Sequence, residues 1–181
     1  MIKSILTLIL LALASTVQAK LYMEMSVEEG GDTLASAPSY SINAGSGVKF
    51  AFGVQNRVGE YGESLSLSLG RLSDLIDAYD GIDGEAKIST YTFDAIYSIQ
   101  RARHRFGFGG SYHIDPIYSE NIAGSPPLEI DFGNALGLIL QYSHAWDSGF
   151  QIGVRYTLMD YNASGLSLDA DSFGIFISNG F

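Results

Sequence analysis

Eight runs of the chain alternate large apolar residues with small or polar ones at a period of two, and the charges inside those runs all fall on the small-residue parity. Period two is the repeat of a β-strand, whose successive side chains point to opposite faces. In Leu21–Val27 one face reads Leu21, Met23, Met25, Val27 and the other Tyr22, Glu24, Ser26; in Val48–Gln55 the faces are Val48, Phe50, Phe52, Val54 and Lys49, Ala51, Gly53, Gln55. Ser64–Leu69 alternates without a fault, and Tyr91–Gln100 does so apart from Ile96, which falls on the parity of Asp94. Runs at 106–114, 135–142, 150–158 and 172–178 complete the set.

Soluble β-sandwiches and lipocalin-like barrels alternate too, but they hide the apolar face and wet the polar one. Here the second face is mostly Gly, Ser, Ala and Thr, poor cover for a wet exterior. Charged residues make up 17% of the chain, against about 25% in a typical soluble domain. Turned inward, the small residues suit the narrow lumen of an eight-stranded barrel, while the aromatic-rich face suits lipid. The expected fold is therefore all-β, an eight-stranded antiparallel up-and-down transmembrane β-barrel. After residue 19 no apolar stretch approaches the ~18 residues of a membrane-spanning helix, so a membrane can be crossed only by such a closed sheet.

The connections alternate in length. Residues 28–46, 71–87, 115–132 and 160–169 form long ones, and Asn56–Glu60, Arg101–Arg105 and Ala145–Gly149 short ones. Barrels with extended outer loops and tight periplasmic turns have this pattern, which places both termini in the periplasm. Trp146, Tyr142, Phe150 and Phe106 are expected at the periplasmic rim, and Tyr91, Tyr112 and Tyr156 at the outer one. Residues 1–19 combine Lys3, an apolar run from Ile5 to Leu13 and Val17-Gln-Ala19, the three parts of a signal peptide; residues 20–181 then form the barrel domain.

The last ten residues, SFGIFISNGF, set Phe173, Ile175 and Ile177 at alternate positions before Phe181. This resembles the closing-strand signal of bacterial outer-membrane barrels, although Asn179 stands where that family usually has a bulky residue. Residues 20–181 as a whole resemble, in pattern, the small eight-stranded outer-membrane proteins of the OmpA, OmpX and OmpW kind. The resemblance implies a monomer in the outer membrane of a Gram-negative bacterium, in contact with outer-membrane lipid and lipopolysaccharide and engaged by the barrel-assembly machinery during biogenesis.

The chemistry open to such a chain is limited. Cysteine is absent, which excludes thiol catalysis and thiolate metal sites. The formal charge is −10, and removing residues 1–19 with their one Lys leaves 9 basic against 20 acidic residues, or −11; this balance disfavours nucleic acid. Glu24, Lys49, Asp94 and Arg155 are expected to pair within the lumen and plug it, because buried charges require partners. Asp74, Asp77, Asp80, Asp83 and Glu85 crowd one long connection and offer oxygen ligands to Ca²⁺ or Mg²⁺, though in no order of a known calcium loop and equally readable as a solvated loop. His113 near Ser119 and Glu120, or Ser143 and His144 with Asp147, supply residue types for acyl hydrolysis. Ser143 and His144 are strand neighbours that face opposite ways, and the His-x-Ser motif of lipid A deacylases is absent. The basic turn Arg101–Arg105 could meet phosphate head groups, although a solvated turn explains it as well.

The sequence thus points to a structural or surface-interaction barrel with mobile acidic loops, no catalytic centre and no resident cofactor. Its alternatives are a narrow channel or transporter for small solutes and, third, a lipid-modifying enzyme.

Overall fold

Thirteen strands account for most of residues 19–181, which a computed structural model describes apart from 38, 39, 80, 81 and 164. The expected signal peptide lies, but for Ala19, outside the described residues. In chain order the strands are β1 (Lys20–Glu29), β2 (Thr33–Ala37), β3 (Tyr40–Asn43), β4 (Gly47–Arg57), β5 (Glu63–Tyr79), β6 (Ile82–Arg101), β7 (His104–Ile122), β8 (Leu128–Asp131), β9 (Ala135–Ala145), β10 (Phe150–Leu158), β11 (Asp160–Ala163), β12 (Leu166–Asp169) and β13 (Ser172–Gly180).

Eight of them form a closed antiparallel ring. β4, β5, β6, β7, β9, β10 and β13 follow β1 in order, each paired with the next, and β13 returns to β1 through eight partners from Tyr22↔Gly180 to Glu29↔Phe173. Closure leaves no row of unpaired backbone groups, which is what allows a sheet to sit in hydrocarbon.

The faces settle the solvent. Phe50, Phe52, Phe108 and Leu138 are 57–64% exposed, whereas Glu24, Asp94 and Arg155 are 8%, 1% and 2% exposed. A water-soluble barrel would reverse these values. The outward apolar belt is therefore the lipid-facing wall and the inward face a packed polar core, as the alternation predicts.

Glycines on the inward parity make room for the large side chains of neighbouring strands. A Cβ on Gly53 would come within 2.6 Å of the Tyr22 ring, one on Gly153 within 2.7 Å of Phe176, and one on Gly174 within 2.7 Å of the Glu28 side chain. Ile96, the exception to the alternation, points into the lumen and is buried.

The long connections differ from the expected mobile loops. β2 pairs antiparallel with β3 in the first connection and β11 with β12 in the last. β5 and β6 continue past the wall, paired as far as Tyr79↔Ile82, and β8 lies back along β7. These pieces share an apolar cluster in which Ile42, Ile88, Tyr118, Phe132, Met159 and Tyr161 are buried, with Leu34, Ile130 and Leu168 packed against it. The reason lies in convergence: each connection gives the cluster only a few apolar residues, spaced without a sustained period, and they find cover in one another.

Carboxylates tie this cap together. Asp32 accepts the Asp169 backbone N–H at 2.9 Å, its own N–H reaches the Asp169 carbonyl at 2.7 Å, and Asp171 accepts from Met159 N–H at 2.8 Å. Gly31, at φ +82, lets the two backbones approach; a Cβ there would stand 2.8 Å from the Asp169 carbonyl oxygen. Replacing Asp32 by Ala removes the side-chain bond between the first and last connections and leaves the backbone one, at a cost of about 1 kcal/mol. Hydrogen exchange in residues 33–43 should then quicken about fivefold, with the wall strands unchanged.

Candidate functional site

At mid-height, side chains from seven wall strands converge in the lumen. Glu24 comes from β1, Lys49 from β4, Asp94 from β6 and Arg155 from β10, and the structure brings all four together. Lys49 Nζ lies 3.1 Å from Asp94 Oδ2 and 4.0 Å from Glu24 Oε1; Arg155 Nη1 lies 2.8 Å from Glu24 Oε1 and 3.7 Å from Asp94 Oδ2. A fifth charge, Glu28 of β1, stands 3.3 Å from Lys49. Its sequence position one residue past the alternating run placed it with the loop acids, yet it keeps the inward parity of Glu24 and Ser26.

Three carboxylates and two cations leave one negative charge, and hydroxyls face it. Ser26 and Ser172 donate to Glu28 at 2.8 and 3.2 Å, and Ser111 donates to Asp94 at 2.6 Å. Gln141 accepts from Arg155 Nε and Nη2 at 3.2 and 2.9 Å, and Arg155 Nη2 also donates to Glu24 Oε2 at 3.0 Å. The guanidinium stacks over the Phe176 ring, 5.1 Å from its centroid, a contact that favours a desolvated cation. Phe176 is the inward aromatic of β13, invisible to a reading that places aromatics in lipid. Gly174 lies between Glu28 and Arg155 in register, the gap through which β13 admits them. Together these groups fill the bore with paired charge.

The acidic stretch behaves otherwise. Asp74 and Asp77 lie on β5, Asp83 and Glu85 on β6, and Asp80 falls outside the described residues. The expected loop is a strand hairpin in which Asp77 and Glu85 are register partners, and Asp74 is buried beside the lumen. Among the described residues no group of three or more His, Asp or Glu is placed to hold a metal ion.

The residue types considered for hydrolysis do not meet. His113 faces inward and its Nδ1 is 2.6 Å from the Tyr161 hydroxyl, beneath the cap. Burial pushes the Tyr161 phenol above its ordinary value, and which of the two groups donates follows the tautomer of His113. Ser143 is buried in the lumen while His144 packs on Trp146 at the short-turn rim.

Phe173, Ile175 and Ile177 project into lipid, and Phe181, 65% exposed, donates its backbone N–H to the Leu21 carbonyl at 2.9 Å. The rim at the short-turn end holds Phe106, Tyr142, Trp146 and Phe150 as expected, joined by two histidines: His104 Nδ1 is 2.6 Å from the Tyr142 hydroxyl and its ring meets His144 edge-on.

Neither a protein-family model nor a curated protein matches the sequence. Solved structures do share the fold. Ail, the attachment invasion locus protein of Yersinia pestis, crystallised with the heparin analogue sucrose octasulfate, superposes with a TM-score of 0.56 at 7% identity over 90% of this chain and 97% of Ail. Neisserial surface protein A superposes with a TM-score of 0.50 at 13% identity over 90% of this chain and 97% of that one. The chain thus has the fold of the small eight-stranded outer-membrane barrels.

Removing one cation from the lumen should be costly, because it strands charge where water is scarce. Arg155→Met should destabilise the barrel by about 3–5 kcal/mol, measured by urea unfolding in lipid vesicles. Adding Glu24→Gln to that variant should recover part of the loss.

Proposed function

We propose that the protein is a structural and surface-interaction barrel of the outer membrane of a Gram-negative bacterium, with the short turns and both termini in the periplasm and the folded cap at the cell surface. The observation that carries this reading is the coexistence of a filled bore with a folded, acidic cap. A transporter needs a path, and the five-charge cluster occupies it; a surface platform needs ordered loops, and the shared apolar cluster supplies them.

The charge is divided between the two ends. Residues 29–46, 71–87, 115–132 and 160–171 hold fourteen of the twenty acidic residues and only two basic ones, Arg71 and Lys87. Some of the acids are spent on the cap's own hydrogen bonds, while Glu29, Glu129, Asp131 and Asp160 remain exposed. Such a surface repels sulfated polysaccharide, whereas Ail was crystallised with a sulfated ligand. It suits lipopolysaccharide phosphates bridged by Ca²⁺ or Mg²⁺, since hard divalent cations take oxygen ligands from both sides. The cap acids serve as ligands in this role, without a dedicated calcium loop.

The protein in bilayer nanodiscs should bind immobilised lipopolysaccharide in millimolar Ca²⁺ and lose at least tenfold in affinity with a chelator present, while heparin is not retained. Heparin retention, or lipopolysaccharide binding indifferent to chelator, would contradict the assignment. In planar bilayers the purified barrel should give no steady large conductance; such a conductance would instead favour the narrow-channel alternative.

A further inference from the structure

The bore is not filled along its whole length. Beneath the charge cluster, at the short-turn end, it opens into a recess of about 610 Å³ lined by Lys20, Gln55, Arg57, Glu63, Ser64, Gln100 and Arg105. A contiguous recess shares Lys20, Gln55, Gln100 and Arg105 with it and reaches Tyr22, Trp146 and Gln151. We propose that this mouth is a binding site for an oxyanion, a phosphate or carboxylate group, held by Arg105 with Arg57 and Lys20.

The contrast with the upper cluster carries the argument. Among the described residues, the ion pairs within 4 Å all belong to Lys49 and Arg155. Lys20, Arg57 and Arg105 converge on one mouth and none reaches a carboxylate. Arg105 is held instead by neutral oxygens: its Nη1 donates to Gln151 Oε1 at 3.2 Å and its Nη2 to Gln100 Oε1 at 2.8 Å. These amides fix the guanidinium without neutralising it. Its Nε is buried and has no partner.

A second unpartnered group lines the same recess. Ser64 is 6% exposed and its hydroxyl, also buried, has no hydrogen-bond partner. A buried donor left without a partner is destabilising, and one ligand oxygen can accept from such a hydroxyl. Two carboxylates border the mouth, Glu63 and Asp147. Glu63 is turned to its own loop, where Oε2 accepts the Tyr61 backbone N–H at 2.8 Å, and Asp147 is exposed on the far turn. A guanidinium fork flanked by two further cations and a free hydroxyl favours a group with several anionic oxygens. The inference is independent of what the cap binds.

Inorganic pyrophosphate is a suitable probe, with the barrel in maltoside micelles that carry no phosphate of their own. Trp146 borders the recess and is the chain's one Trp, so its fluorescence reports binding, and calorimetry gives the stoichiometry. Saturable one-to-one binding that weakens with added NaCl is expected. Arg105→Gln should weaken it at least tenfold, Arg57→Gln several-fold and Ser64→Ala two- to fivefold. Arg71→Gln, at the cap end, should leave it unchanged. Altered gel mobility of the unheated sample shows whether each variant has folded, and Arg57→Gln serves should Arg105→Gln fail to do so. Repeating the titration in nanodiscs separates the sources: competition by phosphatidylglycerol identifies a lipid head group as the natural ligand, and its absence a soluble anion. No saturable response up to 10 mM, or equal affinity in wild type and both arginine variants, would overturn the proposal.

Discussion

In hydrocarbon a backbone N–H or carbonyl without a partner costs several kcal/mol, so the pairing of the last strand with the first governs everything else in this molecule. That seam runs from Tyr22↔Gly180 to Glu29↔Phe173. Once it is closed, every wall residue is committed to one of two solvents. Lipid takes Phe50, Leu138 and Ile175, and the lumen takes Glu24, Lys49 and Arg155. The same seam aligns Gly174 with Glu28 and Ser26 with Phe176, so register and lumen packing are fixed together.

The interior then divides along the barrel axis into three chemistries. At one end, sparse apolar residues from four connections cover the bore, and aspartates latch the connections to one another. At mid-height five charges and their hydroxyl and amide neighbours close it. At the other end the cations exceed their partners. The division follows charge: acids concentrate beyond the wall on the cap side, basic residues gather on the short-turn side, and only in the middle do the signs balance closely enough to pack against one another.

Much of this was legible in the chain. Side-chain parity in a strand is strict, so Glu24, Lys49, Asp94 and Arg155 could be assigned to one enclosure before any contact was known, and the narrowness of an eight-stranded bore implied that they meet. Parity gives a face, however, and not a height or a neighbour. Glu28 was misplaced because the apolar side of its strand ends at Val27, and Phe176 because an aromatic ring inside the lumen runs against the pattern; it fits only because Gly153, in another strand, withdraws. The cap was hidden for a related reason. Ile42, Phe132 and Tyr161 lie in separate connections with no local period, and their cluster exists only after the ring has brought those connections to one mouth. The short-turn recess depends on Lys20, Arg57 and Arg105, residues that look like ordinary solvated strand ends until closure gathers them around one opening.

The central claim is that β13 turns its large apolar residues outward into lipid while its smaller parity, with Phe176, faces a closed interior. The absence of cysteine makes a single-cysteine spin-label scan of residues 172–177 in lipid bilayers the most direct test. Labels at 173, 175 and 177 should collide freely with dissolved oxygen and poorly with an aqueous nickel chelate, and labels at 172, 174 and 176 should be shielded from both. Uniform accessibility along the strand, or oxygen contact confined to the even-numbered positions, would contradict the account.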